Sequence, residues 1–288
     1  MGEHTVRTRV ALGGGLIGGA VGLAWLDSRW AAGPVVHAVV GLILVGGLLE
    51  FYALVARQGS RPLRLVAVVL AVCFVAGDYV ARLSAGWGGG RGAFVGFYAW
   101  MGLAAALAVA VVAVSHLVAD GPQRWAADAP ATALGLFYVW FLGAHLFAIR
   151  GLGSAPRAGV GYLLVFLGVV KLGDAGAYFT GLRWGSRKLA PRTSPNKTVE
   201  GTLGGLATSV VAALALAPLF GLGASAAFWA LFGLLVGIVA QAGDLVESAL
   251  KRSVGVKDSG GLVPTFGGLL DVMDSPLLSA PVALWLLA

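Results

Sequence analysis

Val35-Val-His-Ala-Val-Val-Gly-Leu-Ile-Leu-Val-Gly-Gly-Leu-Leu-Glu-Phe-Tyr-Ala-Leu-Val55 is a run of 21 residues with one charged side chain, Glu50. About 20 apolar residues wound as an α-helix cross the hydrocarbon core of a bilayer, so this stretch predicts a transmembrane helix. Runs of the same kind recur near 10–26, 64–83, 93–118, 131–149, 159–180, 203–220, 225–250 and 276–288. The pattern predicts an all-α integral membrane protein with about nine spans, of which the first, seventh and last are short. Transmembrane β-strands are short and alternate polar with apolar residues, which excludes a barrel.

The composition agrees. Hydrophobic residues make up 58% of the chain and charged residues 11%, whereas a soluble domain carries about 25% charge. No polar stretch is long enough to be a separate domain, so residues 1–150 and 151–288 read as two regions of one membrane-embedded unit, with the polar motifs concentrated in the second. The 45 glycines lie mostly within apolar runs, where small residues allow close helix packing in lipid. Cys73 is the single cysteine and sits in mid-span, which rules out a disulfide framework and a cysteine metal site. The run near 10–26 follows Arg7 and Arg9 and reads as a retained span rather than a cleaved leader.

The net charge is +7, and its distribution gives an orientation. With the N-terminus inside, 14 of the 20 Lys and Arg fall in inner segments and five in outer loops, while Lys171 lies within a span. Basic loops resist translocation, so the N-terminus and the polar loops at 181–202 and 251–275 are expected on the cytoplasmic side. The basic residues then serve topology and phosphate-bearing ligands, and no nucleic acid partner is expected.

Charges inside spans cost about 2.5–3.5 kcal/mol each on insertion scales, which makes each a functional candidate. Lys171 and Asp174 are three apart and share a helical face, as do Asp244 and Glu247. The first pair can neutralise itself. Two acids cannot, so Asp244 with Glu247 predicts a cation or a shared proton. The loop after the sixth run contains Ser194-Pro-Asn-Lys-Thr198, whose hydroxyls, amide and ammonium are donors suited to phosphate. Thr198 and Glu200 also suit the start of a helix. Ser248 to Asp274 carries the strongest signal: Lys251, Arg252 and Lys257 can balance a triphosphate, and Asp258, Asp271 and Asp274 can hold a divalent cation. Gly260, Gly261, Gly267 and Gly268 permit close backbone approach to a nucleotide or phosphate. Bases for phosphate beside acids for metal describe phosphoryl or nucleotidyl transfer.

This stretch resembles the signature of the phosphatidate cytidylyltransferase family, S-x-x-K-R, four residues, K-D, a glycine turn, P-x-H-G-G, then D-R-x-D. Ser248, Lys251, Arg252, Lys257, Asp258, Gly260, Pro264, Gly267, Gly268, Asp271 and Asp274 occupy matching positions. Gly173–Gly181, Lys188–Pro191, Ser194–Gly201 and Gly243–Ser248 are similar to further family motifs in the same order, and Glu50-Phe51-Tyr52 fits as well. Two positions depart: Phe266 stands where the family has His, and Val272 where it has Arg.

The resemblance implies that the phosphate of phosphatidate attacks the α-phosphorus of CTP, giving CDP-diacylglycerol and pyrophosphate, with 151–288 as the catalytic region. It implies Mg2+, with room for a second, monovalent cation, held by Asp244, Asp258, Asp271 and Asp274 with Glu247. Lys197, Lys251, Arg252 and Lys257 would bind phosphate, Asp258 would join them in catalysis, and Ser194, Asn196, Thr198, Ser248, Gly267 and Gly268 would orient substrate. The expected partners are CTP, phosphatidate and the bilayer of the inner membrane, with a homodimer as the candidate assembly. The alternatives are a cytidylyltransferase or kinase for another lipid phosphate or polyprenol, and a non-catalytic transporter or scaffold.

Overall fold

The computed structural model describes residues 18–19, 21–30, 32–85, 91–153, 155–261 and 267–288. In chain order the helices are α1 (Pro34–Ala56), α2 (Arg64–Ala85), α3 (Arg91–Asp120), α4 (Pro122–Gly135) and α5 (Leu142–Arg150), the last two joined by a π-helical turn, Leu136–Phe141. After α6 (Pro156–Trp184) comes a hairpin of β1 (Lys188–Ala190) and β2 (Ser194–Thr198). Then follow α7 (Val199–Leu219), α8 (Ala226–Ser253) and α9 (Leu269–Leu287). Among the described residues eight helices are long and apolar enough to span a membrane, counting Pro122–Arg150 as one continuous span. The protein is an all-α integral membrane protein apart from the short hairpin. The expected first span, 10–26, lies mostly outside the described residues, of which 21–27 are helical.

Two boundaries differ from the sequence reading in ways that matter for the site. The fifth expected span begins at Pro122 rather than near 131, because Gly121 and Pro122 open a helix whose polar first turns are tied by Arg124 to Asp128, Nε to Oδ2 at 2.8 Å. The expected loop at 251–275 is shorter. α8 runs on to Ser253, and α9 begins at Leu269 because Asp271 in its first turn accepts the Gly268 N–H at 2.6 Å. A carboxylate there satisfies an orphan donor and opposes the positive end of the helix. Asp271 and Asp274 therefore sit on a helix, not in a loop. The other inner loop contracts to the β1–β2 hairpin, with Lys188 opposite Thr198 and Ala190 opposite Ser194.

Close packing holds the C-terminal helices together. α6 and α7 meet through Gly173 against Ser209, Gly176 against Thr208 and Gly204 against Thr180, and a Cβ at any of these glycines would collide with its neighbour. Contact of this kind, rather than exclusion from water, drives helix association in lipid. α1 packs against the C-terminal region as well: Gly47 lies against Val139 and Leu270, and Gly143 against Leu44 and Leu277. Leu44, Val139, Leu270 and Leu277 belong to one hydrophobic cluster. Tyr52 Oη donates to the Thr132 carbonyl at 2.7 Å, tying α1 to α4.

Two of the five cations assigned to outer loops are buried on helices. Arg150 pairs with Asp27 at 2.5 Å and Arg82 with Asp78 at 2.7 Å, and Asp78 also meets His37 at 2.9 Å.

Candidate active site

Four elements converge: α6, the hairpin strand β2, the last turns of α8 and the first turns of α9. Thr198 ends β2 and caps α7, accepting the Gly201 N–H at 3.1 Å. Its hydroxyl is buried and committed to that cap, so it is not on the open face of the site. Glu200 in the same turn accepts from the backbone N–H groups of Ser186 and Arg187 at 3.0 and 3.1 Å and from Ser186 Oγ at 2.7 Å. The hairpin is thereby fixed to α7. Lys197 projects from it to Asp244 Oδ2 at 2.7 Å, with the Gln241 carbonyl at 3.4 Å. Ser248 Oγ lies 3.3 Å from the other oxygen of Asp244.

One helical turn along α8, Lys251 contacts Glu247 Oε2 and donates to Asp271 Oδ1 at 2.6 Å. Asp271 Oδ2 accepts from Gly268 N at 2.6 Å, Ser259 N at 3.0 Å and Ser259 Oγ at 2.9 Å. Gly267 adopts φ +96°, and a side chain there would strike Asp271 and approach the Cβ of Asp258. Glycine is required on both counts. Asp258 and Lys257 are exposed on the loop. Arg252 is also exposed, donating from Nη1 to the Val256 carbonyl at 3.1 Å and from Nε to that of Thr193 in the hairpin at 3.4 Å. Ser194 is half-buried and Asn196 exposed on β2. Pro264 and Phe266 lie outside the described residues.

The site also recruits groups that the sequence reading left out of its ligand set. Lys171 and Asp174 approach only to 3.5 Å, and Gly243, the neighbour of Asp244 on α8, packs against the backbone of Asp274. Glu50 reaches from α1 to accept the Leu270 N–H at 2.8 Å and lies 3.1 Å from Ser259 Oγ. It was the lone charge in the first run quoted, which was the signal available. Tyr138, in the π-helical turn, and Glu247 are buried, and neither Tyr138 Oη nor Glu247 Oε1 has a hydrogen-bond partner among the described residues.

Six carboxylates (Glu50, Asp174, Asp244, Glu247, Asp271 and Asp274) thus stand among three ammoniums, those of Lys171, Lys197 and Lys251. Uncompensated acids in a membrane-embedded site are costly, and carboxylate oxygens are the donors a hard divalent cation takes. The donor set fits such an ion in charge and type. No group of three acids or histidines among the described residues is already drawn together as a ligand shell, since Asp244 and Asp271 are held by lysines.

A profile described as the cytidylyltransferase family matches residues 7–288. The chain belongs to the cytidylyltransferase family. Among curated members similar to it, YnbB of Escherichia coli strain K12, an uncharacterised protein, is 37% identical over 174 residues, 60% of this chain and 58% of the relative. A phosphatidate cytidylyltransferase of Bacillus subtilis strain 168 is 42% identical over 159 residues, 54% of this chain and 56% of the relative. One from Staphylococcus aureus strain COL is 44% identical over 126 residues, 43% of this chain and 48% of the relative. The chain spans about half the length of the curated relatives it matches. In this cytidylyltransferase-family chain Lys171, Asp174 and Glu50 stand beside the acids and bases singled out in the sequence.

Proposed function

We propose that the chain transfers the cytidylyl group of CTP to phosphatidate, forming CDP-diacylglycerol and pyrophosphate with Mg2+, at the cytoplasmic side of the inner membrane. The observation that carries this reading is the alternation of ammonium and carboxylate groups, Lys197 on Asp244 and Lys251 between Glu247 and Asp271, in a chain of this family. A triphosphate and a hard cation need those two sets of groups at one place.

Asp244, Asp258, Asp271 and Asp274, with Glu247, are the residues that would hold Mg2+, which supplies charge neutralisation at the α-phosphate. Lys197 and Lys251 would bind phosphate oxygens, and Arg252 and Lys257 would meet the same ligand from the exposed rim. Ser194, Asn196 and Ser248 orient it, and the glycines at 267 and 268 let the backbone approach. The phosphate of phosphatidate is already a nucleophile at neutral pH and needs no base. One of its oxygens forms a bond to the α-phosphorus, the bond to the β-phosphate oxygen breaks, and pyrophosphate leaves with that electron pair. The protein contributes position, charge and exclusion of competing water.

A second reading, transfer to another lipid phosphate or a polyprenyl phosphate, is favoured by one feature: Val272 replaces a guanidinium expected beside the substrate. Purified protein in detergent, given CTP, Mg2+ and either phosphatidate or a polyprenyl phosphate, tests both by mass spectrometry of the extracted lipid. CDP-diacylglycerol is the expected product. A cytidylylated polyprenol alone would select the second reading, and pyrophosphate without any liponucleotide would overturn both.

A further inference from the structure

Of the three ammoniums that stand among the acids, Lys171 is the one least held by a carboxylate, and its seat has a clear origin. Pro276 lies inside α9 and has no N–H to offer the carbonyl four residues earlier, that of Val272. Lys171 takes up that freed acceptor from the neighbouring helix, Nζ to O at 2.8 Å. Its other contact, Asp174 at 3.5 Å, is at the limit of a hydrogen bond. The third donor of the ammonium has no partner among the described residues. The Lys171 side chain is 40% exposed, against 21% for Lys197 and 13% for Lys251. Leu172 beside it on α6 is an exposed apolar residue.

An ammonium placed there costs more than its long contact with Asp174 returns. It stands 3.5 Å from Asp174 and directly on the backbone of Val272, the position where the family pattern has arginine. We propose that Lys171 binds the phosphate monoester of the lipid substrate, entering from the bilayer side, and that it supplies from α6 the positive charge that position 272 lacks.

This rests on the cytidylyl-transfer reading for the identity of the lipid, and its test does not depend on turnover. Native mass spectrometry in detergent compares retention of phosphatidate, phosphatidylcholine and CTP by the wild-type protein and by Lys171→Gln, Lys171→Arg and Lys171→Gln/Val272→Arg. The wild type is expected to prefer phosphatidate over phosphatidylcholine. Lys171→Gln should weaken phosphatidate binding about tenfold or more, the loss of one charge-assisted bond, with CTP binding changed little. Lys171→Arg should keep most of the preference, and arginine at 272 should restore it to the glutamine variant.

Equal loss of phosphatidate and CTP in Lys171→Gln, with a lower melting temperature reversed by adding Asp174→Asn, would mean that the lysine only neutralises its neighbour. Unchanged phosphatidate binding in Lys171→Gln would overturn the proposal while leaving cytidylyl transfer standing. A wild-type protein that makes no liponucleotide yet binds phosphatidate through Lys171 would overturn the transfer reading instead.

Discussion

Asp271→Asn changes one atom in the most densely bonded acid of the site. The carboxylate accepts four hydrogen bonds, Lys251 Nζ on Oδ1 and Ser259 N, Ser259 Oγ and Gly268 N on Oδ2. An asparagine that turns its oxygen to Ser259 and Gly268 points its amide N–H groups at the Lys251 ammonium, donor against donor. Turned the other way, the amide meets three donors. Either orientation loses at least one charge-assisted bond, about 1.5–3 kcal/mol. It also leaves Lys251 held by Glu247 alone, and breaking a buried pair costs about 3–5 kcal/mol. Taking about 3 kcal/mol as the lower figure, kcat/KM for CTP should fall by roughly a hundredfold. The melting temperature in detergent should fall with it. Initial rates over a range of CTP and Mg2+ concentrations, paired with thermal unfolding, measure both. Adding Lys251→Met should recover neither stability nor activity, because it removes the ammonium that phosphate needs and leaves the buried Glu247 without its partner. A rate within about threefold of wild type at limiting Mg2+, with an unchanged melting temperature, would refute the reasoning.

Glu50→Gln removes the charge that caps α9 at Leu270 and holds Ser259. It should lower kcat and stability, the latter by about 1–3 kcal/mol, measured by rate and by unfolding in detergent, while Glu50→Ala should lower both further. Val272→Arg in the wild-type background should reduce activity or stability rather than improve it, since its guanidinium would arise beside the ammonium that already holds the Val272 carbonyl. A lower KM for CTP or phosphatidate in this variant would count against that view. Arg192→Cys in a Cys73→Ala background places a thiol at the exposed tip of the hairpin. It should resist an impermeant thiol reagent in intact cells and react after lysis, and ready labelling of intact cells would reverse the orientation.

The spans were legible because a membrane imposes length and apolarity on each helix independently, as Val35–Val55 illustrates. The start of α9 was not. Glycines and acids around Gly267 to Asp274 have loop composition, and only the Gly268 N–H on Asp271 makes them a helix N-terminus. The acids and bases of Ser248–Asp274 were legible as a set, but their pairing was not. Lys171 meets Val272 across 101 residues and Glu50 meets Leu270 across 220, distances over which residue spacing carries no information. The pair Asp244 and Glu247 called for a cation, and the fold brings Asp244 an ammonium from Lys197 in the hairpin, while Glu247 meets Lys251 one turn along α8 itself. Lys171 with Asp174 looked self-neutralising at three residues apart, yet the proline-freed carbonyl of Val272 draws the lysine elsewhere.

The measurement that bears most directly on cytidylyl transfer follows two labels in parallel, CTP marked on its α-phosphorus and CTP marked on its γ-phosphorus, each incubated with purified protein, Mg2+ and phosphatidate. The account predicts that the α label enters the lipid fraction in equal amount to the pyrophosphate released, and that the γ label stays entirely in pyrophosphate. Passage of the γ label into lipid would identify a kinase, and lipid free of both labels while phosphatidate is bound would contradict catalysis altogether.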